Sequence, residues 1–346
     1  MRVLHVMAGA DAGGAETMML DGVLALAEAG VAQHVVTRGA PDRIAAMRAA
    51  GVPVDEARFD KIFRLPTTLK IESAIARFKP DVLHYWMGRA GMFAPAAQRD
   101  RSLGWYGGYY KLSRFRNCAW QAGVTSNIAR HIVEQGAPVD HVNTLHTFAA
   151  IEDAAPVSRA SLDTPEDAPV VLALARLHWK KGIDTLLDAL ADLPGVYGWI
   201  AGSGPLEAEL KARAKKLGLN GRVRWLGWRN DRAALLGACD VVAFPSRYEP
   251  FGTVTVEAWA ASRPLVVADA AGPKATVKDE IDALLVSKDD VAALRVALGR
   301  VLEDADLRGT LVANGRRAYE AGFTKQAFVR AAMALYETIK TATESQ

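Results

Sequence analysis

At 346 residues the chain is long for one hydrophobic core, so two domains are expected. Half of the residues are apolar and 23% are charged, a balance ordinary for a soluble enzyme. No apolar run reaches the length of a membrane span, and the opening Val3–Met7 run meets Asp11 without a secretion-signal pattern. Cys118 and Cys239 stand far apart without metal-ligand spacing, which fits a reducing cytoplasm and excludes a disulfide framework.

The first half alternates strand-like and helix-like segments. Residues 2–7 read as a strand and 9–14 as a glycine-rich turn. Residues 15–29 read as a helix closed by Gly30, 33–38 as a second strand, and 42–50 as a helix stopped by Gly51. A helix over 71–78, a strand over 81–85, a short strand over 122–125 and a helix over 126–135 follow. Residues 154–169 carry Pro156, Pro165 and Pro169 among polar residues and read as a linker.

The alternation then restarts. Strands are expected over 170–175, 196–201, 223–226, 240–244 and 264–268. Helices are expected over 183–190, 205–217, 231–237, 291–304, 306–321 and 325–341. This pattern predicts two doubly wound α/β halves, Rossmann-like, with ligands at the carboxyl ends of their strands and a cleft between them.

Ser246-Arg247-Tyr248-Glu249-Pro250-Phe251-Gly252-Thr253-Val254-Thr255-Val256-Glu257 follows the apolar run 240–245 and opens a helix. Its two carboxylates bracket a Pro-Phe-Gly turn at a helix mouth. Free amides at Gly252, Thr253 and Val254 can hold an anion, while Glu249 and Glu257 can each accept two hydroxyl hydrogen bonds. Ribose, diphosphate and sugar fit that sequence of groups.

Arg176-Leu177-His178-Trp179-Lys180-Lys181-Gly182 leaves another strand end, where Arg176 and Lys181 can clamp a diphosphate. A surface basic loop is the bland alternative, and the motif at 246–257 favours the phosphate reading. Gly202-Ser203-Gly204-Pro205 also joins a strand to a helix, a weaker signal that any tight turn shares.

Gly9-Ala10-Asp11-Ala12-Gly13-Gly14-Ala15-Glu16 lacks the dinucleotide fingerprint, and Thr37-Arg38 stands where an acid would bind ribose. An arginine there suits a 2′-phosphate, so an NADP oxidoreductase is one rival. Gly272-Pro273-Lys274-Ala275-Thr276 lacks the glycine and Gly-Lys-Thr order of a P-loop. The seven histidines show no metal spacing, and no nucleophile elbow appears.

His84 ends a strand beside Tyr85, Trp86 and Arg89 and is expected to face the cleft, with a structural histidine the alternative. Between Asp60 and Trp120 eleven Lys or Arg face four acids, a surplus larger than the +3 of the whole chain. Within it, Trp105 to Arg116 interleaves aromatics with cations. That stretch suits sugar rings, nucleic acid or a membrane surface, against the plainer reading of an amphipathic helix packing its aromatics.

Together these residues resemble the family 4 glycosyltransferases, a retaining group with the GT-B fold, over essentially the whole chain. The resemblance rests on Gly-Gly-Ala-Glu at 13–16, Arg-Leu-x-x-x-Lys-Gly at 176–182 and Gly-Ser-Gly-Pro at 202–205. Trp-Leu-Gly at 225–227 and Pro-Ser-Arg-Tyr-Glu-Pro-Phe-Gly at 245–252 with Glu257 complete it. It implies an acceptor-side domain over 1–155 joined by the final helix, 325–346, crossing back onto it. A donor-side domain is implied over 165–324.

The resemblance implies Arg176 and Lys181 at the diphosphate, Glu249 at the donor sugar and Glu257 at the ribose. Phe251 to Val254 and Gly204 would surround the donor, Gly13 and Gly14 would approach its phosphate, and Trp228 and Arg229 would lie near the base. It further implies retention of configuration, no metal, and no cofactor beyond the nucleotide-sugar donor. The acceptor would be a glycan or glycolipid. The basic and aromatic segment between Asp60 and Trp120 points to an anionic, membrane-associated one, lipopolysaccharide core first, with peripheral contact to an anionic membrane at its cytoplasmic face. Nucleic acid is not among the expected partners. Many relatives carry a histidine near the turn at Tyr106-Gly107-Gly108, which this sequence lacks. Either His84 or a tyrosine takes its place, or that contact is absent; His84, Tyr106, Lys111 and Arg114 are the acceptor-side candidates. A sugar-nucleotide epimerase and a non-enzymatic glycan-binding module are the remaining rivals.

Overall fold

Short apolar runs recur through both halves of the chain, and each forms a parallel strand with little exposed surface. The computed structural model describes residues 1–10, 13–60, 62–149, 151 and 154–345. Asp11, Ala12 and Lys61, which carry part of the glycine-loop and charge readings, lie outside the described residues. The chain divides into two compact units, Met1–Phe148 with the chain from Lys325, and Ala149–Thr324.

The first unit holds β1 (Arg2–Met7), β2 (Ala32–Thr37), β3 (Val54–Glu56), β4 (Val82–Trp86), β5 (Ser102–Tyr106), β6 (Trp120–Gly123) and β7 (Val142–Thr144). They form one sheet in the order β3-β2-β1-β4-β5-β6-β7. The second unit holds β8 (Val170–Leu174), β9 (Tyr197–Ala201), β10 (Val223–Gly227), β11 (Val241–Phe244), β12 (Leu265–Ala268) and β13 (Leu284–Val286). Their order is β10-β9-β8-β11-β12-β13, and every pairing in both sheets is parallel. Both orders run outward in two directions from the first strand, the doubly wound pattern.

The strands are buried on both faces, as such sheets require: all five residues of β8 and all four of β11 are buried. Helices Ile183–Ala191 and Val291–Glu303 cover the second sheet with Ile183, Leu186, Leu187, Leu190, Leu294 and Leu298. Asp290 and Asp304 each accept an amide three residues on and so fix two successive helix starts.

Four strands escape the sequence reading. β3, β7 and β13 are three residues long and lie at sheet edges, where one side has no partner and the apolar run shrinks. β5 is interior, but Gly104 interrupts its apolar pattern, and the Phe115 ring fills the space beside it. The interleaved stretch 105–116 is therefore a strand end, a loop and a short turn rather than a helix. Trp105, Tyr106 and Phe115 are buried, and Lys111, Arg114 and Arg116 are exposed.

The segment read as a linker is strapped to the second unit. Arg159 grips both oxygens of Asp240 at 3.0 Å and the carbonyl of Ala238, and the Trp199 indole donates to Thr164.

Helix Lys325–Glu344 returns to the first unit and packs on helix Gly14–Glu28 and on β4. Its Tyr336 hydroxyl lies 2.7 Å from His84 Nδ1, and Trp86 donates to His5 Nδ1 at 3.1 Å. His84 therefore does not face a ligand. It is fully buried beneath the last helix, stacked on Trp86, which corrects its expected acceptor-side place. Tyr106 is corrected likewise, being fully buried against Phe115.

Burial lowers the His5 pKa to about 3 and that of His84 well below the usual histidine range. The unfolded chain takes up these protons below about pH 6.5, whereas the folded chain does not until much lower pH. Stability should therefore fall as pH drops from about 6.5, by at most about 1.4 kcal/mol per pH unit for each histidine. Tyr336→Phe should cost about 1–2 kcal/mol at neutral pH by stranding a buried imidazole nitrogen. Denaturant titrations across that pH range check both; a flat profile would contradict the neutral-histidine assignment.

Candidate functional site

In the second unit the chain winds away in opposite directions from β8 and β11, which are neighbours in the sheet. Open α/β sheets bind ligands in the crevice at the carboxyl ends of such a strand pair. Residues 175–182 leave β8 there and residues 245–252 leave β11.

Backbone contacts lock the two loops together. The Lys180 carbonyl accepts the amides of Arg247 (2.8 Å) and Tyr248 (3.3 Å). Gly182 has φ +62°, and a Cβ on it would lie 2.1 Å from the Pro245 carbonyl oxygen, so the approach requires glycine. The β9 loop joins them: Leu177 donates to Ser203, and a Cβ at Gly204 would lie 2.3 Å from the Leu177 carbonyl oxygen. Gly204 thus permits loop-to-loop contact.

Arg247, which the sequence reading left without a role, fastens this arrangement. Its guanidinium donates to Asp184 at 2.9 and 2.7 Å, to Asp289 and to the Trp179 carbonyl. His178 accepts the Lys180 amide through its side chain and shapes the turn that presents Lys181.

On this base Lys181 and Glu249 form an ion pair, both partly exposed. Arg176 is exposed, and its guanidinium makes no hydrogen bond or ion pair with the described residues. Gly252 takes φ +96° and starts helix Thr253–Ala260, whose first amides at Thr253 and Val254 lack an intrahelical partner by construction. Phe251 is buried behind them against Gly272, whose amide donates to the Glu249 carbonyl. The Ser246 and Thr255 hydroxyls are buried with no hydrogen-bond partner among the described residues.

Glu257 lies one turn into the helix and is 3% exposed. Burial raises its carboxyl above the usual carboxylate range, against the pull of Arg232, which reaches it from the preceding helix. Arg232 has no signal in the sequence, since only the fold brings residues 232 and 257 together.

Trp228 and Arg229 follow β10 at the same sheet edge. Trp228 is largely exposed, and Arg229 pairs with Asp231. Asp231 opens helix Arg232–Ala238, so Trp228 and Arg232 flank one short turn.

In the first unit, Gly13 and Gly14 begin helix Gly14–Glu28 and are exposed. Glu16 folds back to accept the Ala10 amide at 2.7 Å, and Arg43 donates to the Ala10 carbonyl. Arg38, the residue behind the NADP reading, spends its guanidinium on the Arg58 carbonyl. Lys111 and Arg114 are exposed on the β5 loop. Among the described residues no group of three or more His, Cys, Asp or Glu is placed to hold a metal ion.

Comparison with known proteins bears on this geometry. Residues 155–318 match the family described as Glycosyl transferases group 1, and residues 12–105 match Glycosyltransferase Family 4. The lipopolysaccharide core biosynthesis glycosyltransferases LpsE and LpsD of Rhizobium meliloti are 34% and 31% identical to the chain. Each alignment covers 97% of this chain and 98% of the relative. D-inositol 3-phosphate glycosyltransferase of Mycobacterium tuberculosis is 30% identical over 94% of this chain and 79% of its own length.

Anabaena HepE in complex with UDP and glucose superposes with a TM-score of 0.81 at 20% identity, covering 98% of this chain and all of HepE. Sucrose-phosphate synthase of Thermosynechococcus elongatus superposes at 0.80 with 22% identity, covering 99% of both chains. Two Rossmann-like parallel sheets with this loop set define a GT-B glycosyltransferase. The chain belongs to glycosyltransferase family 4.

Two substitutions probe the assembly. Gly182→Ala meets both the positive φ and the Pro245 carbonyl, and should cost more than about 2 kcal/mol, visible as a lowered melting temperature. Arg232→Ala leaves a buried carboxyl without its partner. About 1.5–3 kcal/mol should be lost at neutral pH, and less under acid conditions where Glu257 is protonated.

Proposed function

We propose that the chain transfers a hexose or related sugar from a UDP- or GDP-sugar to a glycan or glycolipid, with retention of configuration and no metal requirement. The observation that carries this reading is the Lys181–Glu249 pair beside the free amides of helix Thr253–Ala260, on the loops leaving β8 and β11. In that crevice a diphosphate meets cations and a helix N-terminus on one side, and a sugar meets a carboxylate on the other.

Arg176 and Lys181 would neutralise charge on the departing diphosphate, where both pre-set charges strengthen as the bond breaks. Glu249 would orient the donor sugar through its hydroxyls. With no protein nucleophile invoked, the acceptor hydroxyl attacks from the side of the leaving group, and the donor phosphate accepts its proton. Glu257 would receive ribose hydroxyls, exchanging part of its bond to Arg232. Trp228 would offer a ring face to the base.

In the free protein Lys181 is spent on Glu249. A diphosphate that recruits Lys181 leaves Glu249 in need of new donors, which sugar hydroxyls supply. A nucleoside diphosphate without its sugar supplies none and leaves two anions facing one another.

For the acceptor, the role of LpsE and LpsD in lipopolysaccharide core biosynthesis supports a lipopolysaccharide-core intermediate. The UDP bound to HepE supports a uridine donor before a guanosine one.

Thermal-shift screening against UDP, GDP and their sugars tests the reading; no stabilisation by any of them would overturn it. Lys181→Ala and Glu249→Ala should each lower turnover by about a hundredfold or more while leaving the fold intact. Glu249→Gln should tighten UDP or GDP binding relative to the matching nucleotide sugar, a ratio that calorimetry measures directly. An unchanged ratio would sink the exchange between Lys181 and the sugar.

A further inference from the structure

Three arginines far apart in sequence meet at one end of the second sheet. Arg159, Arg263 and Arg308 line a cavity of about 460 Å³, within the size range of small-molecule sites. Pro169, Asp240 and Pro264, each the residue just before β8, β11 or β12, also line it. The cavity therefore lies at the amino ends of those strands, opposite the loops that carry Lys181 and Glu249. Strands of four or five residues separate the two places by about 15 Å.

The three guanidiniums are not matched alike. Arg159 is neutralised by Asp240, which it grips through both oxygens. Arg263 donates to the carbonyls of Gly237 and Cys239 at the end of helix Arg232–Ala238. Arg308 donates to those of Val301 and Leu302 in the last turn of helix Val291–Glu303. Neither has a carboxylate within 4 Å among the described residues. A helix C-terminus carries roughly half an elementary charge, so these carbonyls leave about half of each cation unmatched. Donors are left over as well: Arg263 Nε is buried with no partner among the described residues, and Arg308 spends only Nη1. Asp167 also lines the wall, but it is exposed and pairs with no cation among the described residues.

Helix Ala305–Gly322 supplies a further wall and carries Gly309 there, although glycine weakens a helix interior. Gly315 in the same helix has a packing reason, since a Cβ on it would lie 2.3 Å from the Trp259 ring. Gly309 has none: nothing lies within 4 Å of the place its Cβ would take. The missing side chain keeps the cavity open beside Arg308.

We propose that this cavity binds a small organic anion, its phosphate or carboxylate head on Arg263 and Arg308 and its carbon body on Pro169, Pro264, Leu302 and Val312. Guanidinium forks match either head, and a concave wall screens their charge less than open surface does. A bare inorganic anion would leave the carbon wall against water, and a neutral ligand would leave the two cations unmatched. The site is separate from the crevice at the carboxyl ends of β8 and β11 and does not depend on what that crevice binds.

Calorimetric titration of the full chain with phenyl phosphate, benzoate and inorganic phosphate tests it. At least one of the two organic anions should bind, the tighter one assigning the head, and inorganic phosphate should bind more weakly than phenyl phosphate. Binding should persist in Arg176→Ala with Lys181→Ala, which disarms the other crevice. It should weaken by about tenfold or more in Arg263→Gln with Arg308→Gln. Because both arginines also hold helix-end carbonyls, Gly309→Glu serves as a second variant. It sets a carboxylate beside Arg308 without touching those bonds, so the melting temperature should hold or rise while binding falls by about tenfold or more. Binding of neither organic anion, inorganic phosphate binding as tightly as phenyl phosphate, binding that survives Gly309→Glu, or binding lost only with Arg176 and Lys181 would each overturn the proposal.

Discussion

The interlock of the β8 and β11 loops is the constraint on which the site depends. One carbonyl, that of Lys180, accepts two amides from the β11 loop, and Gly182 lies so close under Pro245 that no side chain fits. Arg247 ties the same two loops to Asp184 and Asp289. These contacts fix the backbone on either side of Lys181 and Glu249, so two flexible side chains begin from a rigid base. Their pairing then costs less ordering entropy than it would on free loops.

The charges on that base are arranged in two kinds. Lys181 with Glu249 and Arg232 with Glu257 are satisfied within the protein, whereas Arg176 is open to solvent. An open arginine attracts an anion at long range, and the pairs redistribute once it arrives. Burial sharpens the second pair, because a carboxyl as enclosed as Glu257 stays charged only with a cation or hydroxyl donors beside it. A different logic holds on the other unit, where apolar side chains are left exposed above an anchored loop.

Much of this was legible in the sequence. The motifs at 176–182 and 245–257 are contiguous, and each follows an apolar run that can only be a buried strand, so their placement at strand ends follows from local pattern alone. Edge strands β3, β7 and β13 were not legible, since three residues are too few for a periodic signal, and β3 and β7 are largely polar besides. The aromatic-cation stretch misled for a related reason. Alternating types at 105–116 suit many structures, and burial of Trp105, Tyr106 and Phe115 decided which. His84 was misplaced because a strand-end position does not reveal what lies above it. Tyr336, 252 residues later, covers it.

The sequence by itself determined the class of fold, the family and the two loops at the ends of β8 and β11, because these depend on apolar period, glycine placement and residues close together in the chain. Tertiary structure decided what depends on distant residues meeting. Arg232 reaches Glu257, Arg247 clamps Asp184 and Asp289, and the last helix seals the histidines. It also decided which apolar residues stay outside. Ile71 and Leu69 are alike in composition and neighbours in sequence, yet one is buried and the other exposed. The difference is the direction each takes from a helix whose position the whole first sheet sets.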